Sequence, residues 1–317
     1  MGFSVAIPQP VAEKGIQRLK EAGAEVIIPD AVSEELSVST IRNCDAVLIR
    51  TMELSSQIIE QAPRLKIIAR HGVGLDNIDV NTALKKGVYV TNVPRANINA
   101  VAEHVMGMMI AGARQFIQAD QGLRKGHFSI RNQILGIELK GKTLGIVGFG
   151  NIGHLIAEKA YYGLGMKVNV YDPYLDARNI PAFVHKTEDQ REIFKNADIV
   201  TLHVPYLSST HHLVNENAFS MMKDSAILLN AARGEIVKEK ALIQALKEKE
   251  IRGACLDVFE KEPPGKDHPL WELDNVFVTP HMAALTEEAM ENMAVTCADA
   301  IINVMNGEEP ENVVKNG

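Results

Sequence analysis

The sequence is short of cysteine, short of positive charge and without a long apolar run, and each shortage closes off a class of protein. Its three cysteines, Cys44, Cys255 and Cys297, lie far apart, form no CxxC pair and leave an odd count. That speaks against a disulfide scaffold, gives no metal-binding spacing, and favours a reducing, cytoplasmic compartment. The formal net charge of −7 argues against nucleic acid and anionic membrane as partners. No apolar stretch approaches the roughly 18 residues that a membrane span needs. The opening MGFSVAIPQPVAEKG has no basic flank and only a short apolar run, so it does not read as a signal peptide. Ala6 stands where myristoylation wants Ser or Thr. Short repeats, charge blocks and low-complexity tracts are missing as well.

What is there is an alternation of strands and helices. At 317 residues and 46% apolar, the chain can bury a sizeable core and is long enough for two domains. Short β-rich runs recur at Phe3–Ile7, Glu25–Ile28, Ala46–Ile49, Leu65–Ala69 and Val88–Thr91, separated by polar, helix-prone segments. A second series follows at Thr143–Val147, Lys167–Tyr171, Ile199–Val204, Ala226–Leu229, Gly253–Leu256 and Val276–Thr279. Alternation of this kind predicts parallel sheets, and the six strands of the second series match a full dinucleotide-binding sheet. Two segments differ. Asn99–Gln121 reads as one long, mostly apolar helix capped by Asn97 or Asn99. Glu287–Met305 places Met290, Met293, Ala294, Cys297, Ala298, Ile301, Ile302 and Met305 at helical spacing, with Thr286 as N-cap, Glu287 and Glu288 at the positive end of the dipole, and Gly307 as the stop. Its methionines read as core packing. The second helix follows the sixth strand and can return the chain to the first domain. The expected architecture is therefore two doubly wound α/β parallel-sheet domains, residues 99–286 inserted into a domain made of 1–98 and 287–317. A crevice between two such domains is a favoured ligand site. Closure of the two domains would exclude water, with the links near Ile98–Asn99 and Leu285–Thr286 taking up the bend.

Within the inserted segment, Gly148-Phe149-Gly150-Asn151-Ile152-Gly153 follows an apolar strand and opens a helix. Gly148 permits the tight turn, Gly150 lets backbone approach a pyrophosphate, and Gly153 allows close packing of helix on strand. The helix N-terminus offers free N–H groups and partial positive charge to phosphates. The next strand runs into Asp172, 19 residues beyond Gly153. A carboxylate there can accept both ribose hydroxyls and repels a 2′-phosphate, which predicts NAD rather than NADP. The later strands end in Asn230-Ala-Ala-Arg233-Gly234, Asp257-Val-Phe-Glu-Lys-Glu262-Pro-Pro and Thr279-Pro280-His281. Ligands of open α/β sheets bind outside the carboxyl ends of the strands. Arg233, Asp257, Glu262 and His281 would then converge beside a nicotinamide. Oxidation of a 2-hydroxy acid needs a base for the hydroxyl proton as hydride leaves, and histidine titrates in the right range. A glutamate beside it would hold the ring and stabilise imidazolium. An arginine can grip the substrate carboxylate and polarise the carbonyl oxygen.

Four ordered motifs, Leu139–Gly148, Asn230–Val237, Leu256–Pro263 and Thr279–Ala283, resemble the D-isomer-specific 2-hydroxyacid dehydrogenases along nearly the whole chain. The resemblance implies a Rossmann NAD domain inserted into a flavodoxin-like substrate domain, with Arg233, Glu262 and His281 catalytic. It implies NAD contacts at the fingerprint (Gly148, Gly150, Asn151, Ile152, Gly153) and at Asp172. Further contacts are implied at Val204 and Pro205, at Ala231, Ala232 and Arg233, and at Asp257, His281 and Ala284. In Arg70-His-Gly-Val-Gly-Leu-Asp76 it implies that the Val73 and Gly74 N–H groups hold the substrate carboxylate, beside Arg233 and His281. A homodimer built through the Asn99–Gln121 region is implied too. Phosphoglycerate dehydrogenases and hydroxypyruvate or glyoxylate reductases are nearest in pattern. Arg50 matches a phosphoglycerate dehydrogenase arginine, and Arg131 precedes Leu135–Leu139, where some of those enzymes reach across the dimer. Two readings stand for both arginines: holders of a phosphate or other second anion, or solvated surface. The sequence stops at Gly317, so serine feedback through a C-terminal regulatory domain is not expected. Formate dehydrogenases share the pattern but carry glutamine where Glu262 stands. An NAD-sensing corepressor of the same fold would show partner grooves and extra tails, which the sequence lacks.

Overall fold

The structure is a computed structural model and describes residues 2–29, 34–176, 178 and 180–315. The chain divides into two compact units, Met1–Ile98 with Ala284–Gly317 and Asn99–Ala283. The second crossing thus comes three residues ahead of the Glu287 boundary suggested by the sequence. The first falls inside the opening turn of helix Ile98–Arg114.

In the first unit, β1 (Ser4–Ala6), β2 (Glu25–Ile27), β3 (Ala46–Ile49), β4 (Ile67–Arg70) and β5 (Tyr89–Thr91) pair in parallel in the order β2-β1-β3-β4-β5. This is the flavodoxin-like order. β1 and β3 are buried along their whole length, as expected of parallel strands covered on both faces. The apolar stripe of helix Glu287–Met305 completes this unit. It packs on helix Glu13–Glu21 and on β4 and buries Met293, Ala294, Cys297, Ala298 and Ile301. Burial of a side chain the size of Met293 or Ile301 contributes roughly 1.5–3 kcal/mol. The helix ends follow the sequence pattern. Thr286 Oγ1 accepts from Ala289 N–H at 3.1 Å, and Gly307 leaves the helix with φ +80°.

In the second unit, β6 (Thr143–Val147), β7 (Lys167–Tyr171), β8 (Val184–Lys186), β9 (Ile199–Leu202), β10 (Ile227–Asn230), β11 (Gly253–Leu256) and β12 (Val276–Val278) form one parallel sheet in the order β12-β11-β10-β9-β6-β7-β8. The sequence predicts six strands and the sheet has seven. The added strand β8 is three residues long and pairs only with β7 at the sheet edge. With Pro181 before it and exposed His185 in its middle, it offers no apolar run to read. Phe194 and Phe219 anchor the core on one face of this sheet.

The long helix expected at Asn99–Gln121 is two helices, Ile98–Arg114 and Phe116–Arg124. Gln115 between them sits in the left-handed region at φ 53°. Ala113 C=O leaves the helical ladder to accept from Ile137 N–H at 2.9 Å, and Gln115 Nε2 donates to Leu135 C=O at 2.8 Å. The returning segment thus supplies the bonds that a continuous helix would have made. Neither predicted N-cap acts as one: Asn97 Oδ1 is buried without a partner, and Asn99 lies inside the helix, donating to Glu103 at 2.8 Å.

Replacement of Thr286 by Ala should cost about 1 kcal/mol through loss of the cap, with Thr286→Ser close to wild type. Urea unfolding midpoints of the two variants provide the measurement.

Candidate active site

The order of the second sheet reverses between β6 and β9, and a doubly wound sheet opens its ligand crevice at such a reversal. The glycine turn lies there. Gly148 has φ +93°, and a Cβ on it would stand 2.5 Å from His203 C=O, so both backbone angle and space demand glycine. A Cβ on Gly150 would meet nothing within 4 Å, which leaves the mouth of the turn open for a ligand. Helix Asn151–Glu158 starts there, with Asn151 exposed, Ile152 half-buried and Gly153 buried.

Asp172 follows β7. Its Oδ2 accepts from Phe149 N–H at 2.8 Å and its Oδ1 from Tyr174 N–H at 2.9 Å. The carboxylate therefore ties the end of β7 to the glycine turn, and each oxygen keeps a second lone pair for a ribose hydroxyl. Val204 and Pro205 follow β9. His203, just before them, is pushed down to about 3 by burial, and its ring Nε2 lies 2.8 Å from Thr201 Oγ1. It is neutral and moves no proton.

β10, β11 and β12 are adjacent, and their carboxyl ends carry the reactive types. After β10, Ala231, Ala232 and Arg233 are half-buried. Arg233 Nη1 donates to Ala232 C=O at 2.6 Å. Asn230, only 1% exposed, fixes this turn: its amide donates to Arg233 C=O and its oxygen accepts from Ala232 N–H. After β11 and β12 the side chains of Glu262 and His281 meet, Nδ1 to Oε2, at 2.7 Å. Glu262 Oε1 accepts from Phe259 N–H at 3.1 Å. Burial alone would push the Glu262 carboxyl up. The His281 hydrogen bond and charge, the Phe259 N–H and the Arg233 charge outweigh it and hold the carboxyl below its ordinary value. Glu262 is thus ionised and accepts a hydrogen bond from Nδ1–H of His281, which leaves Nε2 for a substrate.

Asp257 is 0% exposed. Its Oδ1 accepts from Met282 N–H at 2.8 Å and from the Thr279 hydroxyl at 2.5 Å, and its Oδ2 from Ala283 N–H at 2.8 Å. His104 Nε2 lies 3.5 Å from the same carboxylate and 3.1 Å from Thr279 Oγ1. Burial would raise this carboxyl, but the His104, Thr279 and backbone hydrogen bonds hold it low. The carboxylate that the sequence places against the cofactor also holds the loop that carries His281. That loop needs holding, because His281 has φ 48°, a left-handed conformation uncommon outside glycine. His104, Thr279 and Asn230 escape sequence reading as functional residues: the first is a lone histidine in an apolar helix, the others polar residues at strand ends.

In the first unit, Arg50 is half-buried after β3 and donates to Pro10 C=O at 2.9 Å. Burial pulls its guanidinium below the ordinary value. Val73 is 39% exposed, and its carbonyl accepts from Asn92 at 2.8 Å. Gly74 is half-buried. His71 beside them is lowered to about 4 by burial and by the Arg50 charge. Ala284, half-buried, opens the return segment of this unit. Arg131, in the second unit, lies 5.3 Å over the Phe128 ring. Among the described residues no group of three or more His, Cys, Asp or Glu could hold a metal.

Comparison with known proteins places this constellation. The family model described as "D-isomer specific 2-hydroxyacid dehydrogenase, NAD binding domain" matches residues 106–283. A D-3-phosphoglycerate dehydrogenase of Methanocaldococcus jannaschii is 43% identical over 98% of this chain, which spans 59% of that protein. A glyoxylate reductase of Thermococcus litoralis is 38% identical over 98% of this chain and 96% of its own length. The crystal structure of an NADPH-dependent glyoxylate/hydroxypyruvate reductase from Sinorhizobium meliloti superposes with a TM-score of 0.88 at 26% identity, covering 98% of this chain and 97% of that one.

Asp257→Asn puts an amide NH2 against backbone N–H donors in a buried site. We expect a loss of about 3 kcal/mol at neutral pH. The folded carboxyl lies below its ordinary value, so its stabilisation is present above the unfolded pKa and is lost as pH falls through the folded one. The gap between wild type and variant in urea titrations should therefore narrow in strong acid and stay constant from pH 6 to 8.

Proposed function

The chain belongs to the D-isomer specific 2-hydroxyacid dehydrogenase family, and on that premise we propose that it is an NAD-dependent oxidoreductase that interconverts a D-2-hydroxy acid and its 2-keto acid. The observation that carries the reading is the 2.7 Å contact of His281 with an ionised Glu262, with Arg233 on the neighbouring strand end. A bound nicotinamide supplies or accepts the hydride. The fingerprint suits the cofactor: Gly150 leaves the mouth of the turn open, and Asp172 retains acceptor capacity for ribose hydroxyls.

The chain's own residues handle charge and proton. In reduction, His281 delivers its Nε2 proton to the carbonyl oxygen and is left neutral, with Nδ1–H still donated to Glu262. Oxidation runs the same transfer backwards, and Glu262 stabilises the imidazolium that forms. Arg233 binds the substrate carboxylate and steadies the developing alkoxide. In the first unit, Arg50 and the Val73–Gly74 backbone are proposed as further substrate contacts. Asp257 holds the loop and is proposed as a cofactor contact as well.

Both curated relatives above act on small 2-keto or 2-hydroxy acids by name, so the substrate is proposed to be 3-phosphohydroxypyruvate, hydroxypyruvate or glyoxylate. Turnover of these and of pyruvate with NADH separates them, and no turnover of any would sink the assignment. A homodimer is proposed through the region around helices Ile98–Arg114 and Phe116–Arg124. Phe116, Leu123, Phe128 and Leu135 are 49%, 57%, 65% and 78% exposed there, an apolar concentration that favours covering. A cytoplasmic location is proposed from the reduced cysteines.

Two outcomes test the chemistry. Wild type should favour NADH over NADPH by on the order of a hundredfold, because Asp172 repels a 2′-phosphate. Asp172→Ser should shrink that ratio about tenfold or more; equal use of both cofactors by wild type would refute the Asp172 argument. For the proton relay, His281→Ala should cut kcat by about 10²-fold to 10⁴-fold with NADH affinity little changed. Arg233→Ala should harm kcat and substrate KM together. Glu262→Gln removes the charge that favours imidazolium, so the upper pH limit of keto-acid reduction should move to lower pH. Near-normal turnover by His281→Ala would end the relay assignment.

A further inference from the structure

Behind the relay, in the same unit, stand two more histidine–carboxylate pairs that the chemistry above does not use. His212 Nε2 meets Glu260 Oε1 at 2.5 Å, and His268 Nε2 meets Glu239 Oε1 at 2.9 Å. The two carboxylates are cross-linked through backbone. Glu239 N–H donates to Glu260 Oε2 at 3.2 Å, and Glu260 N–H to Glu239 Oε2 at 3.4 Å. Three regions of chain thus meet on Glu260: the turn after β9, the start of helix Glu239–Lys247, and through Glu239 the turn at His268. Lys238, next to Glu239, pairs with Glu216 instead, at 2.6 Å. The tautomer of His268 is set as well. Its Nδ1 accepts from Leu270 N–H at 3.3 Å, so the proton sits on Nε2 and points to Glu239.

The position of Glu260 gives the cluster its consequence. One residue earlier, Phe259 N–H holds Oε1 of Glu262. The 259–260 peptide is wedged on its other side against Gly234, the residue after Arg233. A Cβ on Gly234 would stand 1.9 Å from Phe259 C and O and 2.4 Å from Glu260 N. The peptide is therefore pressed against the Arg233 turn from one side and tied down by Glu260 from the other. Phe259 also packs edge-on against Trp271, at 5.6 Å between ring centroids.

We propose that Glu260, held by His212 and by the start of helix Glu239–Lys247, is a positioning residue for the proton relay. It sets the 259–260 peptide and, through Phe259, the N–H of the peptide before it, so that Phe259 N–H and His281 Nδ1 both meet the Glu262 carboxylate. The half-buried setting strengthens the tie: the His212 and Glu260 side chains are 28% and 33% exposed, and His268 and Glu239 13% and 19%, so their pairing is less screened than that of a surface pair. Without it, the loop has only the Gly234 contact, ring packing and the bonds of Glu262 itself to define where that carboxylate points.

The proposal rests on the relay reading, and the experiment separates the two. Keto-acid reduction is measured against pH for wild type, Glu262→Gln, Glu260→Ala, Glu260→Gln and His212→Asn. Asparagine is chosen because His212 has φ 51°, which asparagine tolerates, while its side chain is too short to reach Glu260. Glu260→Ala should lower kcat on the order of tenfold, with substrate KM within about twofold, because a displaced Glu262 loses alignment rather than binding. Its upper pH limit should move to lower pH, as in Glu262→Gln but by less. Glu260→Gln should recover most of both, since its amide oxygen still accepts from Glu239 N–H. His212→Asn should fall between, and stands in if Glu260→Ala does not fold. The downfield proton resonance of His281 Nδ1–H, assigned by its loss in His281→Ala, should broaden in Glu260→Ala and His212→Asn without any substrate present. A lowered melting temperature with unchanged pH limit and unchanged resonance would overturn the proposal. An unmoved pH limit in Glu262→Gln would overturn the relay reading, and the resonance would still decide whether Glu260 positions that carboxylate.

Discussion

A buried negative charge governs the geometry at the carboxyl ends of β10, β11 and β12 in the second unit. Asp257 sits at the end of β11, fully shielded from water, and an ion there is tolerable only if the surroundings repay its lost hydration. The repayment comes from Thr279, Met282 and Ala283, the residues that bracket His281. The carboxylate can be buried only with the loop wrapped on it, and the loop can hold a left-handed histidine only with the carboxylate there. Asp257 C=O closes the arrangement by accepting from His281 N–H at 2.7 Å.

The three adjoining strands then divide the labour by what each end can reach. β10 turns sharply, because Asn230 bonds the turn in both directions, and it projects a cation that remains charged throughout. β11 supplies two acids with opposite fates. Asp257 is inward and accepts from two backbone amides and a hydroxyl. Glu262, five residues on, is held at one oxygen by a backbone N–H and offers the other to an imidazole. β12 supplies that imidazole. A parallel sheet puts all three ends on one edge, which no antiparallel arrangement of consecutive strands would do.

How much of this the sequence discloses depends on the range of the interaction. Apolar runs, the glycine fingerprint and helix signals such as Thr286 and Gly307 are local, so two parallel sheets and the glycine turn follow from them, while the fold types rest on the family resemblance. Arg233, Glu262 and His281 stand out because charged residues directly after apolar strands have few structural uses. The misses are non-local. The helix breaks at Gln115 because a segment some twenty residues later bonds Ala113 C=O and the Gln115 side-chain amide. β8 is a strand because β7 is beside it, not because its three residues favour one. The hold of Asp257 on a loop more than twenty residues away is missed because nothing local announces it. The Glu260 cluster draws on His212, Glu239 and His268, whose meeting only the fold can show.

The contrast between Asp257 and Glu262 also explains where the proton resides. Both carboxyls are held below their ordinary values against the opposing effect of burial, but by different partners. The donors to Asp257 are two backbone amides, a hydroxyl and His104, and the amides and hydroxyl cannot give up a proton near neutral pH. The side-chain donor to Glu262 is an imidazole, which can. The imidazole paired with Glu262 keeps its outer nitrogen, Nε2 of His281, for a proton, whereas Nε2 of His104 is turned to Thr279 and Asp257. Cys255, just before Asp257 in β11, is excluded from the exchange: burial pushes its thiol up to about 12, and it bonds Met108 C=O at 3.5 Å. In the reaction proposed above, an imidazole paired with a carboxylate held below its ordinary value is the arrangement that would let a single proton move in step with hydride.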